Sequence, residues 1–143
     1  MARRVAGAGA CEIGLADTIG CAVPPEVEVL VRAVANDTGL PVRVHLHNSR
    51  NTGYANAVAA LGAGAAALDA SIGGIGGCPF APGAAGNIAS EDLVHLLDRM
   101  GIATGVRLEG LLEASCWLAD ALGHPLPGQV VRSGAFPLRA TPA

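Results

Sequence analysis

Along residues 41–47 apolar and polar side chains alternate, with Val42, Val44 and Leu46 set against Arg43, His45 and His47. A period of two predicts a strand whose apolar face packs on helices and whose other face lines a polar interior. Both histidines then point the same way, close enough for their imidazoles to reach one metal ion. A hydrogen-bonded structural pair has the same spacing, so the pattern alone leaves both readings open.

Strand, loop and helix recur around this segment. Residues 11–16 read as a short strand, followed by Asp17-Thr-Ile-Gly and by Pro24-Pro25, a dipeptide suited to a helix start. Val27, Leu30, Val31 and Val34 then recur at helical spacing until Asn36–Gly39 closes the helix. A second helix is predicted over 51–62, a third strand over Ala66–Ser71, then a long Gly-rich loop and a helix from Ser90 to Met100. Ser90 is the expected N-cap, Glu91 and Asp92 suit the helix dipole, and Gly101 ends the element. A last helix carries Leu108, Leu111, Leu112, Ser115, Leu118 and Leu122 on one face, stops at Gly123 and leads into a Pro-rich tail.

Three successive βα units imply an α/β fold with a parallel sheet, either open and doubly wound or part of a barrel. The polar residues Asp17, His45, His47, Asp69 and Ser71 all fall where a strand ends. Both architectures put their active sites at the carboxyl ends of the strands, so these loops are expected to converge. His95, on a helix, and His124, beside Pro125, read as surface or cap residues.

At 143 residues with a formal charge of -3, the chain suits one domain and has no basic footprint for nucleic acid or an anionic membrane, which favours a small-molecule partner. Twenty glycines and only 3% aromatics point to tight loops and close packing of small residues. The uncharged stretch between Arg50 and Asp69 is broken by Asn51, Asn56 and several glycines, so no membrane segment is expected. The first residues lack the apolar core of a secretory signal, which makes the cytoplasm the expected compartment. Cys11, Cys21, Cys78 and Cys116 form no Cys-x-x-Cys pair, and reduced thiols are expected.

Four segments, in order and at these spacings, carry a resemblance: Asp17-Thr-Ile-Gly, His45-Leu-His47, Gly73-Gly-Ile-Gly-Gly-Cys78-Pro-Phe-Ala and Gly83-Ala-Ala-Gly-Asn87-Ile-Ala-Ser-Glu-Asp. Together they resemble the hydroxymethylglutaryl-CoA lyases, within the metal-dependent lyases and aldolases that share a TIM-barrel, pyruvate carboxyltransferase-like domain. The first two segments are common to that wider group, which includes isopropylmalate and homocitrate synthases. The Cys78 loop and the Asn87 segment are more particular to the lyases. The resemblance covers roughly residues 5–122 and implies the C-terminal portion of a TIM (β/α)8 barrel, about three parallel strands with flanking helices plus a C-terminal helix. Residues 1–143 are then a single partial barrel domain, with 123–143 as its tail.

The resemblance further implies that His45, His47 and Asn87 coordinate a divalent cation, Mg²⁺ or Mn²⁺, a donor set that the chemistry of those ions accepts. Cys78 is implied to protonate the enolate of acetyl-CoA, and Asp17 to do acid/base work near the substrate hydroxyl; read without the resemblance, Asp17 is a turn or cap residue. Ser71, Gly76 and Gly77 are the expected substrate-side loop residues, and the flanking glycines give the loop freedom to close. Asn48 and Ser49 stand where many relatives have Asp-Thr, an exchange expected to alter only bonding behind the ligands.

The implied reaction is cleavage of 3-hydroxy-3-methylglutaryl-CoA, or a similar 3-hydroxyacyl-CoA, to acetoacetate and acetyl-CoA. A whole barrel needs about 250 residues and eight strands. The chain is therefore expected to be incomplete and inactive alone, with an N-terminal half missing or supplied by another chain. A synthase or aldolase of the same superfamily, or a non-catalytic metal-binding module that self-associates as a homo-oligomer, are the alternatives.

Overall fold

In the computed structural model, which describes residues 1–77 and 86–136, strand β2 (Val42–Leu46) lies between β1 (Ile13–Asp17) and β3 (Ala67–Asp69), all parallel. The register sets Ala16 beside His45, and His45 beside Asp69. Expectations that fall on Cys78, and on the tail beyond Phe136, lie outside the described residues. The chain divides into two compact units: residues 1–69 with 77–87, and residues 70–76 with 88–143.

In the first unit the sheet carries helices α1 (Ala2–Gly7), α2 (Pro24–Thr38) and α3 (Gly53–Gly62). Pro24 and Pro25 occupy the first turn of α2, where a missing N–H and a fixed φ cost nothing. The Glu26 carboxylate reaches back to accept the Val23 N–H at 3.2 Å. Gly39 ends the helix in the left-handed region at φ 66°, its N–H donating to Ala35 at 2.8 Å.

The predicted alternation in β2 is observed. Val42, Val44 and Leu46 are buried, whereas Arg43 and His45 are half-buried on the other face. Val27, Val31 and Val34 of α2 and Ala57 and Ala60 of α3 complete this core, the alanines permitting a close approach of helix to helix. Leu30, expected on the same buried stripe, is instead 51% exposed. It lies at the rim of a cavity of about 230 Å³ lined also by Leu15, Val27, Val31 and Val44, because β1 has no strand on its outer side among the described residues.

The second unit contains a tight turn at Ile72–Gly74 and helices α4 (Ser90–Arg99), α5 (Leu108–Leu122) and α6 (Val130–Ser133). Its core joins Val94, Leu108 and Val130, with Leu111, Leu112 and Ala135 packed against them. Ser90 is not the N-cap. It is already the first helical residue and its N–H donates to the Ser71 carbonyl at 2.8 Å, while Ala89 caps with no side-chain bond. Glu91 and Asp92 do stand in the first turn, yet both accept backbone N–H groups from elsewhere in this unit. Of the predicted face of α5, Leu108 and Ser115 are buried, Leu111, Leu112 and Leu118 are half-buried, and Leu122 is 48% exposed. No described helix is long and apolar enough to cross a membrane.

Leu46, 1% exposed at the centre of the first core, should be the costliest truncation there. Leu46→Ala is expected to destabilise the chain by about 2–5 kcal/mol in urea unfolding, and Val29→Ala, on the exposed side of α2, by at most about 0.5 kcal/mol.

Candidate active site at the ends of the strands

Asp17, His45 and His47 lie at or just beyond the carboxyl ends of β1 and β2. Asp17 is the last residue of β1, and each of its carboxylate oxygens accepts a backbone N–H, Cys21 at 3.0 Å and Ala22 at 3.1 Å. The carboxylate thus folds the loop after β1 back onto the strand end, the turn role that its residue type suggests. Asn56 continues the clamp from α3, its amide donating to the Ala22 carbonyl at 2.8 Å. Arg50 closes the far side through the carbonyls of Ile19 and Gly20.

His45 and His47 converge as their spacing predicts. Their Nε2 atoms are 3.1 Å apart and the rings meet edge to face at 5.1 Å. His47 has already left the strand and forms an isolated antiparallel bridge with Asn87, which sets the third implied ligand opposite it. The Asn48 N–H donates to the Gly86 carbonyl at 3.2 Å, fastening the same two segments. The Asn48 side chain accepts the Gly53 N–H at 3.1 Å and donates to Asn51, so this departure from the Asp-Thr pattern ties down the start of α3.

Charge on the polar face is arranged around Arg43, which donates to Glu12 at 2.8 Å and to Asp69 at 2.9 Å. These two carboxylates, Glu12 foremost, hold the guanidinium firmly protonated. The other Asp69 oxygen lies 3.8 Å from His45 Nδ1, so the ring has a carboxylate on one edge and His47 on the other. His47 is 4% exposed. Burial first, and the neighbouring His45 second, lower its pKa from the usual 6.5, against an opposing pull from Asp17.

The arrangement fits a divalent cation. A ligating imidazole must be neutral, which is the state that burial favours for His47. Two ligands at about 2.1 Å from one ion and at right angles to each other stand about 3.0 Å apart, close to the spacing of the two Nε2 atoms. Among the described residues no three His, Cys, Asp or Glu side chains are grouped to hold an ion, and the converging side-chain donors are the two imidazoles. Asp17 is engaged by backbone donors, and Ser71 and Gly76 belong to the second unit. Gly77 is exposed, and Cys78 lies outside the described residues.

Sequence reasoning missed Asn56, which is fully buried, and Asp69 as a neighbour of His45. An asparagine amid the alanines of α3 was the available signal for the first.

Asp17→Ala should speed amide exchange at Cys21 and Ala22 by about tenfold or more, the consequence of losing a charged acceptor worth about 1.5–3 kcal/mol per bond. In chelator-treated protein, a lowered His47 pKa means that the unfolded chain binds the extra proton first as pH falls. The stabilising contribution is therefore complete above about pH 6.5 and is lost below it, and His47→Asn should flatten this part of the dependence of the urea midpoint on pH.

Known proteins similar to this chain are named as lyases. The chain is 56% identical over 127 residues to the (R)-citramalyl-CoA lyase of Chloroflexus aurantiacus, covering 88% of this chain and 40% of that protein. It is 45% identical over 122 residues to the hydroxymethylglutaryl-CoA lyase of Bacillus subtilis, covering 85% and 41% of the two. Among solved structures, an HMG-CoA lyase from Acenitobacter baumannii in complex with coenzyme A and 3-methylmalate superposes with a TM-score of 0.85 at 40% identity, over 94% of this chain and 44% of that one. The chain thus spans about two fifths of the length of the curated relatives it matches. Its three parallel strands and their helices correspond to part of the TIM barrel of those lyases. The profile of the HMGL-like family matches residues 1–117, and the chain belongs to that family.

Proposed function

We propose that this chain supplies the His45–His47 side of a carbon–carbon lyase that cleaves a 3-hydroxy-3-methyl acyl-CoA, as a partial barrel requiring the remaining strands for turnover. The observation that carries the reading is the 3.1 Å convergence of two imidazole nitrogens beside Asn87 at the carboxyl end of β2, in a family whose relatives are named as lyases. His45, His47 and Asn87 would hold a divalent cation, Mg²⁺ or Mn²⁺. Such an ion acidifies a bound hydroxyl and stabilises charge on the departing carbonyl oxygen.

The chain's own residues supply orientation and proton handling. Asp69 lies against His45 Nδ1 and leaves Nε2 as the nitrogen directed to the site. Asp17 fixes the loop that rims it through both oxygens, and each oxygen keeps a further lone pair with which to take up the substrate hydroxyl proton. As the hydroxyl proton passes to Asp17 and the bond between the carbinol carbon and its neighbour breaks, Cys78 gives its proton to the enolate carbon, which leaves acetyl-CoA and a keto acid.

Two keto acids are open to this chemistry. Cleavage of 3-hydroxy-3-methylglutaryl-CoA gives acetoacetate, whereas cleavage of citramalyl-CoA, whose free carboxylate sits directly on the carbinol carbon, gives pyruvate. The 56% identity to the citramalyl-CoA lyase against 45% to the hydroxymethylglutaryl-CoA lyase favours the shorter substrate as a second reading.

Calorimetric titration of Mn²⁺ into the chain alone should show one site, weakened at least about tenfold by His45→Ala or His47→Ala. Turnover is measured after mixing with the N-terminal three fifths of a related lyase, using acetoacetate and pyruvate assays in parallel. Cleavage of either thioester, lost in Cys78→Ala, is the expected result. A chain that binds no Mn²⁺, or a mixture shown to assemble that cleaves neither, would refute the proposal.

A further inference from the structure

In the second unit Glu91 is fully buried, and so is Ser115 of α5. The Glu91 Oε2 accepts the Gly73 N–H at 3.0 Å and its Oε1 accepts the Ser115 hydroxyl at 2.9 Å. Gly128 packs so closely on this carboxylate that a Cβ there would collide with Oε1. Gly73 sits at φ 68° with its carbonyl accepting the Gly128 N–H at 3.0 Å, and a Cβ on it would meet Leu126 Cβ at 2.9 Å. The neighbouring bonds, Gly74 N–H to the Ser71 carbonyl at 3.0 Å and Ser71 hydroxyl to the Ile75 carbonyl at 2.6 Å, close the turn on itself.

We propose that Glu91 is a positioning residue, a buried latch that fixes the Ser71–Ile75 turn against α5 and the 126–128 segment and so sets the point from which the chain departs toward Gly76, Gly77 and Cys78. The link from that point to chemistry rests on the lyase reading given above. The case for a latch over simple packing is energetic. Burying a carboxylate is costly, and an apolar residue of the same volume would fill the space at less expense. What the acid alone provides is two acceptors held at once, one on a backbone N–H in a left-handed turn and one on a helix from beyond the three βα units. A satisfied buried polar network of this kind selects a single arrangement where apolar contacts would tolerate several. Residues 73 and 74 are buried while 76 and 77 are exposed, so the latch holds the base of the segment up to the point where it reaches the surface.

The test compares Glu91→Met, of similar size but without acceptors, with Glu91→Gln, which keeps one, and with Ser115→Ala. Amide exchange at Gly73 reads the latch itself. The alkylation rate of Cys78, relative to the exposed free thiols Cys11, Cys21 and Cys116 in the same chain, reads its consequence without requiring metal or turnover. Glu91→Met should raise Gly73 exchange by about tenfold and change relative Cys78 alkylation several-fold, with Gln returning both most of the way and Ser115→Ala giving a smaller change of the same sign. In the assembled enzyme kcat should fall about tenfold with KM within about twofold, since neither Glu91 nor Ser115 is itself a substrate contact. Should Glu91→Met fail to fold, Ser115→Ala and Glu91→Gln decide the matter. A folded variant with unchanged Gly73 exchange, or with faster exchange but unaltered Cys78 reactivity, would overturn the proposal. A response of both readouts in a chain that never turns over, even as wild type in an assembled mixture, upholds the latch and removes only the lyase reading.

Discussion

The pairing of β2 on both edges is the constraint on which the site depends. A strand held by β1 on one side and β3 on the other cannot slip by one residue without sending Val42, Val44 and Leu46 into the polar face and Arg43 and His45 into the core. Because that exchange would bury charge and expose the best-packed residues of the unit, the register is fixed by the same energy that holds the core. The direction of His45 follows from it, and His47, one residue past the strand end, is held by its bridge to Asn87. The geometry of the candidate site in this unit is therefore a by-product of core packing, and the side chains that refine it act on a strand end that is already placed.

Much of this was legible in the chain because it is written at short range. Alternation in 42–47, Pro24-Pro25 at a helix start and a glycine at a helix end are local signals, and each element appeared where its signal stood. The misreadings share one cause. Ser90 has the side chain of an N-cap, but the Ser71 carbonyl takes its N–H into the helix, and nothing within four residues of Ser90 announces Ser71. Leu30 has the spacing of a core residue, but its burial depends on what packs outside β1. Asp69 was read as a strand-end polar residue, and only the parallel register brings it beside His45. Partners chosen by tertiary structure leave no period in the sequence, whereas family motifs such as His45-Leu-His47 record them indirectly.

The two units solve a similar problem in different ways. In the first, loops are tied to strand ends by side chains that cross short distances, Asp17 to Cys21 and Ala22, and Asn48 to Gly53. In the second, the ties come from α4, whose opening acids reach far along the chain, Glu91 to Gly73 and Asp92 to Gln129 and Val130. Acids at a helix start are ordinarily explained by the helix dipole. Here that account is incomplete, because the same carboxylates satisfy backbone donors of the Ile72–Gly74 turn and of the start of α6.

This use of acids bears on where negative charge is left for chemistry. Asp17, Glu91 and Asp92 each spend their oxygens on N–H or hydroxyl donors, and Glu12 is paired with Arg43. Asp69 differs, since one oxygen faces Arg43 while the other faces a histidine of the site. The guanidinium and His45 share this one carboxylate, so the ring faces an anion that is already paired. Arg43 thus acts on the site at one remove. It lets a carboxylate stand beside His45 as an orienting neighbour without the full field of an unpaired anion, a balance that the alternation of β2 secures by putting Arg43 and His45 on the same face two residues apart.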